Sequence, residues 1–319
     1  MTEKKRIVWV DWLKTLGMFL IVYGHTFPPR NQYIYAFSVP LFFILSGFLT
    51  KRENTIKQFW LKIFYNYIMP ILILSVIVFI YKSRSQIVEF NLGIDDICKF
   101  IFGFIIGQHS SLHECWFVYT LAVLKIIYQF TPQICKKTLS VLLFVVFSLV
   151  AMYLSAHNYS LLNSVANVFV SYQFFLFGLF MRRYKSYLNA PHNKMGQILL
   201  FVICLLILFV CGKLNGHVWM YNNGYGRNIL LFFIGGIAGT VLIYLISKSL
   251  MAIDSKIVRY ISQGNIIILG LHFYTIGYVN SIFNNKILTS VAIMLIFIPV
   301  IWLFKRYAPY ALGIYRLRK

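Results

Sequence analysis

Apolar residues recur along this chain in ten runs, at roughly 7–26, 33–50, 59–81, 114–130, 138–156, 163–181, 196–212, 229–247, 265–281 and 287–304. Each is close to the length of about 20 residues that an α-helix needs to cross a bilayer core. Short polar or basic stretches separate them, and the alternating apolar-in, polar-out pattern of strands is missing. The pattern predicts an all-α integral membrane protein of about ten transmembrane helices, a single polytopic domain over residues 1–319. One connection is long, residues 82–113, and it contains the semi-apolar piece DDICKFIFGFIIG. That piece is too short to span, so it predicts an interfacial or re-entrant helix at about 94–107. No repeat or low-complexity tract divides the chain.

The first run is the irregular one. Its stretch DWLKTLGMFLIVYGH, residues 11–25, carries Asp11, Lys14 and His25 where lipid-facing sequence is apolar. At about 100° and 1.5 Å per residue, Lys14 and His25 return to within about 20° of one face, roughly 16 Å apart along the axis. Asp11 lies one turn before Lys14 on that face, within reach of an ion pair. Ionisable groups inside a span are costly and normally face a bundle interior or a watery path. A bland alternative is an interfacial Asp11–Lys14 pair with the lysine reaching to the head groups. A histidine that titrates near neutrality is the natural general base for removing a proton from an alcohol.

Composition agrees with a membrane protein: 60% of residues are hydrophobic and 12% charged, with mean hydropathy +0.74. The basic, then apolar N-terminus is read as an uncleaved first span, because Asp11 and Lys14 interrupt it and no small-residue cleavage site follows. A net charge of +22 raises the question of nucleic acid. With the N-terminus inside, 21 of the 30 basic residues fall on the cytoplasmic side and seven outside, Lys14 and Lys125 lying within spans. This asymmetry predicts both termini in the cytoplasm and makes the charge a topology signal. No segment interleaves basic residues with exposed aromatics, so nucleic acid is not a partner. The five cysteines form no CxxC pair or His/Cys cluster, so no metal is expected.

Other polar groups sit in or beside spans. Ser46 lies in FSVPLFFILSGFL, where it could line a cavity. His113, Glu114 and Trp116 begin the fourth span and could contact an acceptor; the alternative for Glu114 is a carboxylate favoured at a helix start. His272 lies within the ninth run and is a candidate to line the cavity. Lys125 is read as snorkelling. The outer loop KLNGHVWMYNNGYGRN, 213–228, has a composition suited to sugar contact and equally to an ordinary interfacial loop.

The strings RIVWVDWLKTLGMFLIVYGHT and FSVPLFFILSGFL resemble the opening of the membrane-bound acyltransferase-3 family, in particular its fucose 4-O-acetylase-like branch. LHECWFVYTL, FFLFGLFMRR and ISQGNIIILGLHFY resemble later segments of that family in the same order. Lys14 stands where the family often has arginine, Ser38 where the branch often has histidine, and LKIFYNYIMP keeps only Lys62 of a basic cluster. The resemblance implies an O-acetyltransferase of a bacterial-type inner membrane, with acetyl-CoA as donor from the cytoplasm. It implies an acceptor hydroxyl on a surface glycan, lipid-linked sugar or related molecule at the outer side. On that reading His25 is the base, Lys14 and Lys62 meet the CoA phosphates, and Asp11 holds Lys14 in place. Two rival readings are a transporter or flippase of a glycan intermediate and a structural subunit without chemistry.

Overall fold

The computed structural model describes residues 6–131, 136–157, 163–189 and 193–313. Lys4, Lys5, Cys135, Arg316, Arg318 and Lys319 lie outside the described residues, as do the side chains of Lys136 and Lys137. Among those described, regular structure is helical apart from an isolated bridge between Trp219 and Gly224.

The chain runs through α1 (Val8–His25), α2 (Ser38–Leu49) and α3 (Ile56–Lys82), then the short α4 (Ile94–Ile106) and α5 (Trp116–Phe130). It continues with α6 (Lys136–His157), α7 (Asn163–Arg183), α8 (Lys194–Asn215) and α9 (Ile229–Ser249). It ends with α10 (Lys256–Leu271), α11 (Phe273–Phe283) and α12 (Lys286–Tyr307). Six helical stretches are long and apolar enough to cross a membrane, seven if the bent pair α10–α11 is one span. α1 falls short of that measure because Asp11, Lys14 and His25 interrupt it, and α5 because it has only 15 residues. The protein is a multi-pass membrane protein. The run read as one span at 265–281 is broken: α10 and α11 meet at 93°, with His272 at the corner.

Cross-contacts define two ends. Arg6 reaches Asp254, Lys62 reaches Glu53 and Arg52 reaches the Thr131 carbonyl at one end, the basic face. His25 meets His272, Lys82 meets His113 and Asn167 meets Met220 at the other, the cavity face. α1 packs against α2, α9, α10 and α12, so its polar stripe faces protein instead of lipid. α4 sits at the cavity face and exposes Ile94, Phe102 and Ile105.

The tightest crossing is α2 against α7, and glycine makes it possible. A Cβ at Gly47 would lie 2.1 Å from the Phe175 carbonyl oxygen, and one at Gly178 would lie 2.0 Å from that of Ile44. Small residues let backbones touch where lipid supplies no hydrophobic drive between helices. Backbone atoms cannot rotate away as a side chain can. Gly178→Ala should therefore destabilise the purified protein by about 1–3 kcal/mol, read as a lower midpoint of thermal unfolding in detergent. An unchanged midpoint would show that the crossing relaxes freely.

Candidate active site

The corner between α10 and α11 places His272 directly behind the last residue of α1. His272 is fully buried, and its Nε2 lies 2.6 Å from Nδ1 of His25, with the two rings stacked 4.9 Å apart. On its other side, Nδ1 of His272 lies 2.8 Å from the Ile268 carbonyl and 3.0 Å from that of Leu269. Carbonyls only accept, so Nδ1 of His272 carries the proton. In the neutral ring Nε2 is then the acceptor, and Nδ1 of His25 must donate to it. That leaves Nε2 of His25 with a free lone pair. The chain of contacts carbonyl–His272–His25 fixes both tautomers by geometry alone.

His25 lines a cavity of about 270 Å³. Ser38 from α2, Glu114 from the turn just before α5, Trp116 from the start of α5, and Phe273 and Tyr274 from α11 share its wall. The loop after α8 folds back over this opening and supplies Trp219 and Tyr221. Buried amides hold the loop in place. Asn167 donates to the Met220 carbonyl at 2.9 Å and accepts from the Tyr225 hydroxyl at 3.1 Å, while Asn215 donates to the Tyr225 carbonyl at 3.0 Å. Such satisfied amide bonds make the loop a fixed wall.

His113 begins this wall with φ +47°, a left-handed backbone that a residue with a Cβ rarely adopts. Strain of this kind collects at functional sites. Lys82 donates to Nδ1 of His113 at 3.1 Å, so the proton of His113 sits on Nε2. Burial, and then the charge of Lys82, push the His113 imidazole down to about 4. His109 packs 4.4 Å from the Tyr221 ring and 5.4 Å from that of Trp116, and burial pushes it down to about 4 as well. Both are neutral at physiological pH, so their role is hydrogen bonding and packing. Aromatic faces, one carboxyl group and several hydrogen-bonding side chains surround His25 and can contact a ligand through ring faces and hydrogen bonds together.

The basic face differs from expectation. Asp11 does not pair with Lys14. It pairs with Arg6 at 2.5 Å and accepts from the Ser262 hydroxyl at 2.5 Å, while Arg6 also reaches Asp254 at 2.7 Å. Arg6 lies just before the apolar run, and its planar fork can span two carboxylates, which an ammonium on the next turn cannot match. Lys14 forms no ion pair among the described residues; its carbonyl accepts from Asn265 at 3.0 Å. Lys62 is paired with Glu53 at 2.5 Å and lines a separate hollow of about 240 Å³, which Lys14 does not line. Lys125 does not snorkel out to head groups: it donates to the Thr50 hydroxyl at 2.5 Å and lines the same hollow. Asn66 and Tyr67 reach this hollow from a π-helical turn, Phe64–Ile68, inside α3. Ser46 lies at this end of α2, where its carbonyl accepts from Thr50 at 2.5 Å, away from the cavity.

Of the residues singled out from sequence, the structure brings His25, His113, Glu114, Trp116 and, behind them, His272 together. Lys82, Ser38 and Tyr35 join that site without having been assigned to it from the sequence, and Trp219 and Tyr221 join it from the loop whose composition suited sugar contact. Among the described residues no group of His, Cys, Asp and Glu could hold a metal ion. An acyltransferase domain family, acyltransferase-3, matches residues 7–306. No curated protein and no solved structure matches the chain.

Proposed function

The chain belongs to this acyltransferase family, and from that premise we propose that it is a membrane O-acetyltransferase of the bacterial plasma membrane acting on a sugar hydroxyl. The carrying observation is a histidine with one nitrogen locked as donor and the other open, set in a cavity of about 270 Å³. Both termini lie in the cytoplasm, as the basic residues argue, so the cavity faces outward. Acetyl-CoA is the donor and approaches from the basic face, with Lys62 and Lys125 around the hollow that meets its phosphates.

His25 is the general base. Nε2 takes the proton of the acceptor hydroxyl as its oxygen attacks the thioester carbonyl carbon. The carbon–sulfur bond then breaks and His25 returns the proton to the departing thiolate, so the ring ends as it began. His272 accepts from Nδ1 throughout and stabilises the transient imidazolium, as an orienting partner does in a nucleophile–base–orienter array. Glu114 and the neutral His113 orient the acceptor, and Trp219 and Tyr221 offer ring faces to the apolar side of a pyranose.

Glu114→Gln should raise KM for the acceptor about tenfold with KM for acetyl-CoA unchanged, because one accepting carboxyl oxygen becomes an NH2 that can only donate, at one substrate only. Steady-state kinetics with the two substrates varied separately check it. The reading as a whole is tested by mass spectrometry of envelope glycans from a deletion strain. Loss of an acetyl mass, regained with the wild-type gene but not with a His25→Ala gene, supports it. Unchanged acetylation with loss of the glycan itself indicates translocation and contradicts it. The broken helix α10–α11 is a feature that transporters also use, but they use it in pairs, and among the described residues there is one.

A further inference from the structure

A second hollow at the basic face, about 550 Å³ in volume, lies between the ends of α5 and α7 and the side of α6. Arg52, Arg182 and Arg183 line it. The Arg52 guanidinium is pre-positioned: it donates to the Thr131 carbonyl and lies 5.0 Å from the centroid of the Tyr128 ring. Its Nε is buried and has no partner. None of the three arginines forms an ion pair among the described residues. Three guanidinium groups around one hollow repel each other, and with 8 acidic residues in the chain they have few carboxylates to balance them.

The rest of the wall is apolar. Leu176, Leu179 and Phe180 continue it along α7, and Val141 flanks it from α6. Phe180 is 49% exposed and Val141 63% exposed, so the apolar wall opens to the outside of the bundle, where acyl chains lie. The complementary ligand carries a phosphate at one end and hydrocarbon at the other. We propose that this hollow is a site for an anionic phospholipid, its phosphate on Arg52, Arg182 and Arg183 and its chains along α7. Planar guanidinium forks match phosphate oxygens two at a time, which an ammonium cannot. Coenzyme A shares the phosphate chemistry but lacks the chains, and the hollow of Lys62 and Lys125 beside it, with Tyr128 as a shared wall, has the more polar lining that a nucleotide needs. The proposal stands independently of the transfer reaction.

The test is native mass spectrometry of the intact protein in neutral detergent, titrated with phosphatidylglycerol, phosphatidylcholine or coenzyme A. Retention of phosphatidylglycerol about tenfold above phosphatidylcholine, undiminished by excess coenzyme A, is the expected result. Paired substitution Arg182→Gln with Arg183→Gln should remove that preference, and Arg182→Lys with Arg183→Lys should keep part of it. Equal retention of the two lipids would overturn the proposal. So would displacement of the lipid by coenzyme A, which assigns the arginines to the donor, or an undiminished preference in the glutamine variant. The wild-type comparison of lipids stays decisive even where a variant is poorly folded.

Discussion

His25→Ala is expected to lower the rate of acetyl transfer by about 10³-fold with little change in either KM, the loss typical of a positioned general base. Other bases in the cavity are poorly placed to substitute. Nδ1 of His113 is occupied by Lys82, so the remaining nitrogen of that ring carries its proton and can only donate. Glu114 is the one carboxylate in the wall, and its glutamine variant is expected to act on acceptor binding. If His25→Ala kept full turnover and Glu114→Gln lost it, the two roles would have to be exchanged. The alanine variant should keep the wild-type unfolding midpoint within a few degrees, since it removes a ring at the edge of a cavity and leaves the helix contacts of α1 in place.

The second large effect falls on a residue that does not line the cavity. His272→Leu should reduce turnover about 10²-fold while leaving KM for both substrates nearly unchanged. With the acceptor nitrogen gone, Nδ1 of His25 has no partner, so the ring is free to take the other tautomer or to rotate. His272→Gln keeps a carbonyl oxygen near the position of the lost nitrogen and should recover about tenfold of that loss. A purely structural role for His272 predicts something else: loss of folded protein in both variants, with normal turnover in whatever remains folded. Kinetics on the monodisperse fraction separate the two. Together the variants measure how much of the rate comes from holding one nitrogen of His25 as a donor.

The polar face of α1 was legible in the sequence because helical geometry is local: eleven residues bring Lys14 and His25 to one side whatever surrounds them. The same local reasoning misassigned the partner of Asp11. Arg6 lies outside the apolar run, and Ser262 and Asp254 arrive from more than 240 residues away, so no pattern within the first span announces them. The corner at His272 was hidden for a different reason. No proline marks it, and Gly270, two residues before it, is ordinary in a membrane helix, so the mostly apolar run reads as one span; only the folded structure shows that the histidine sits at a 93° bend. The cavity wall shows the same limit. His113, Glu114 and Trp116 could be singled out as polar or aromatic residues at a helix start. Lys82 counted only as outer charge, and Trp219 and Tyr221 only as a loop composition, until tertiary folding laid that loop over the opening. Lys125 illustrates the reverse error, in which a cation read as lipid-facing turns out to donate to Thr50 and to line an inward hollow.

The central claim is that acetyl passes from a donor at the basic face to a hydroxyl at the cavity face through His25. The most direct measurement uses sealed vesicles holding the purified protein in one orientation, with acetyl-labelled CoA on the side of the basic face and a sugar acceptor only on the other. Labelled acceptor should accumulate with the wild-type protein and be absent with His25→Ala. Equal labelling by both proteins, or labelling only when donor and acceptor share one side, would contradict the account.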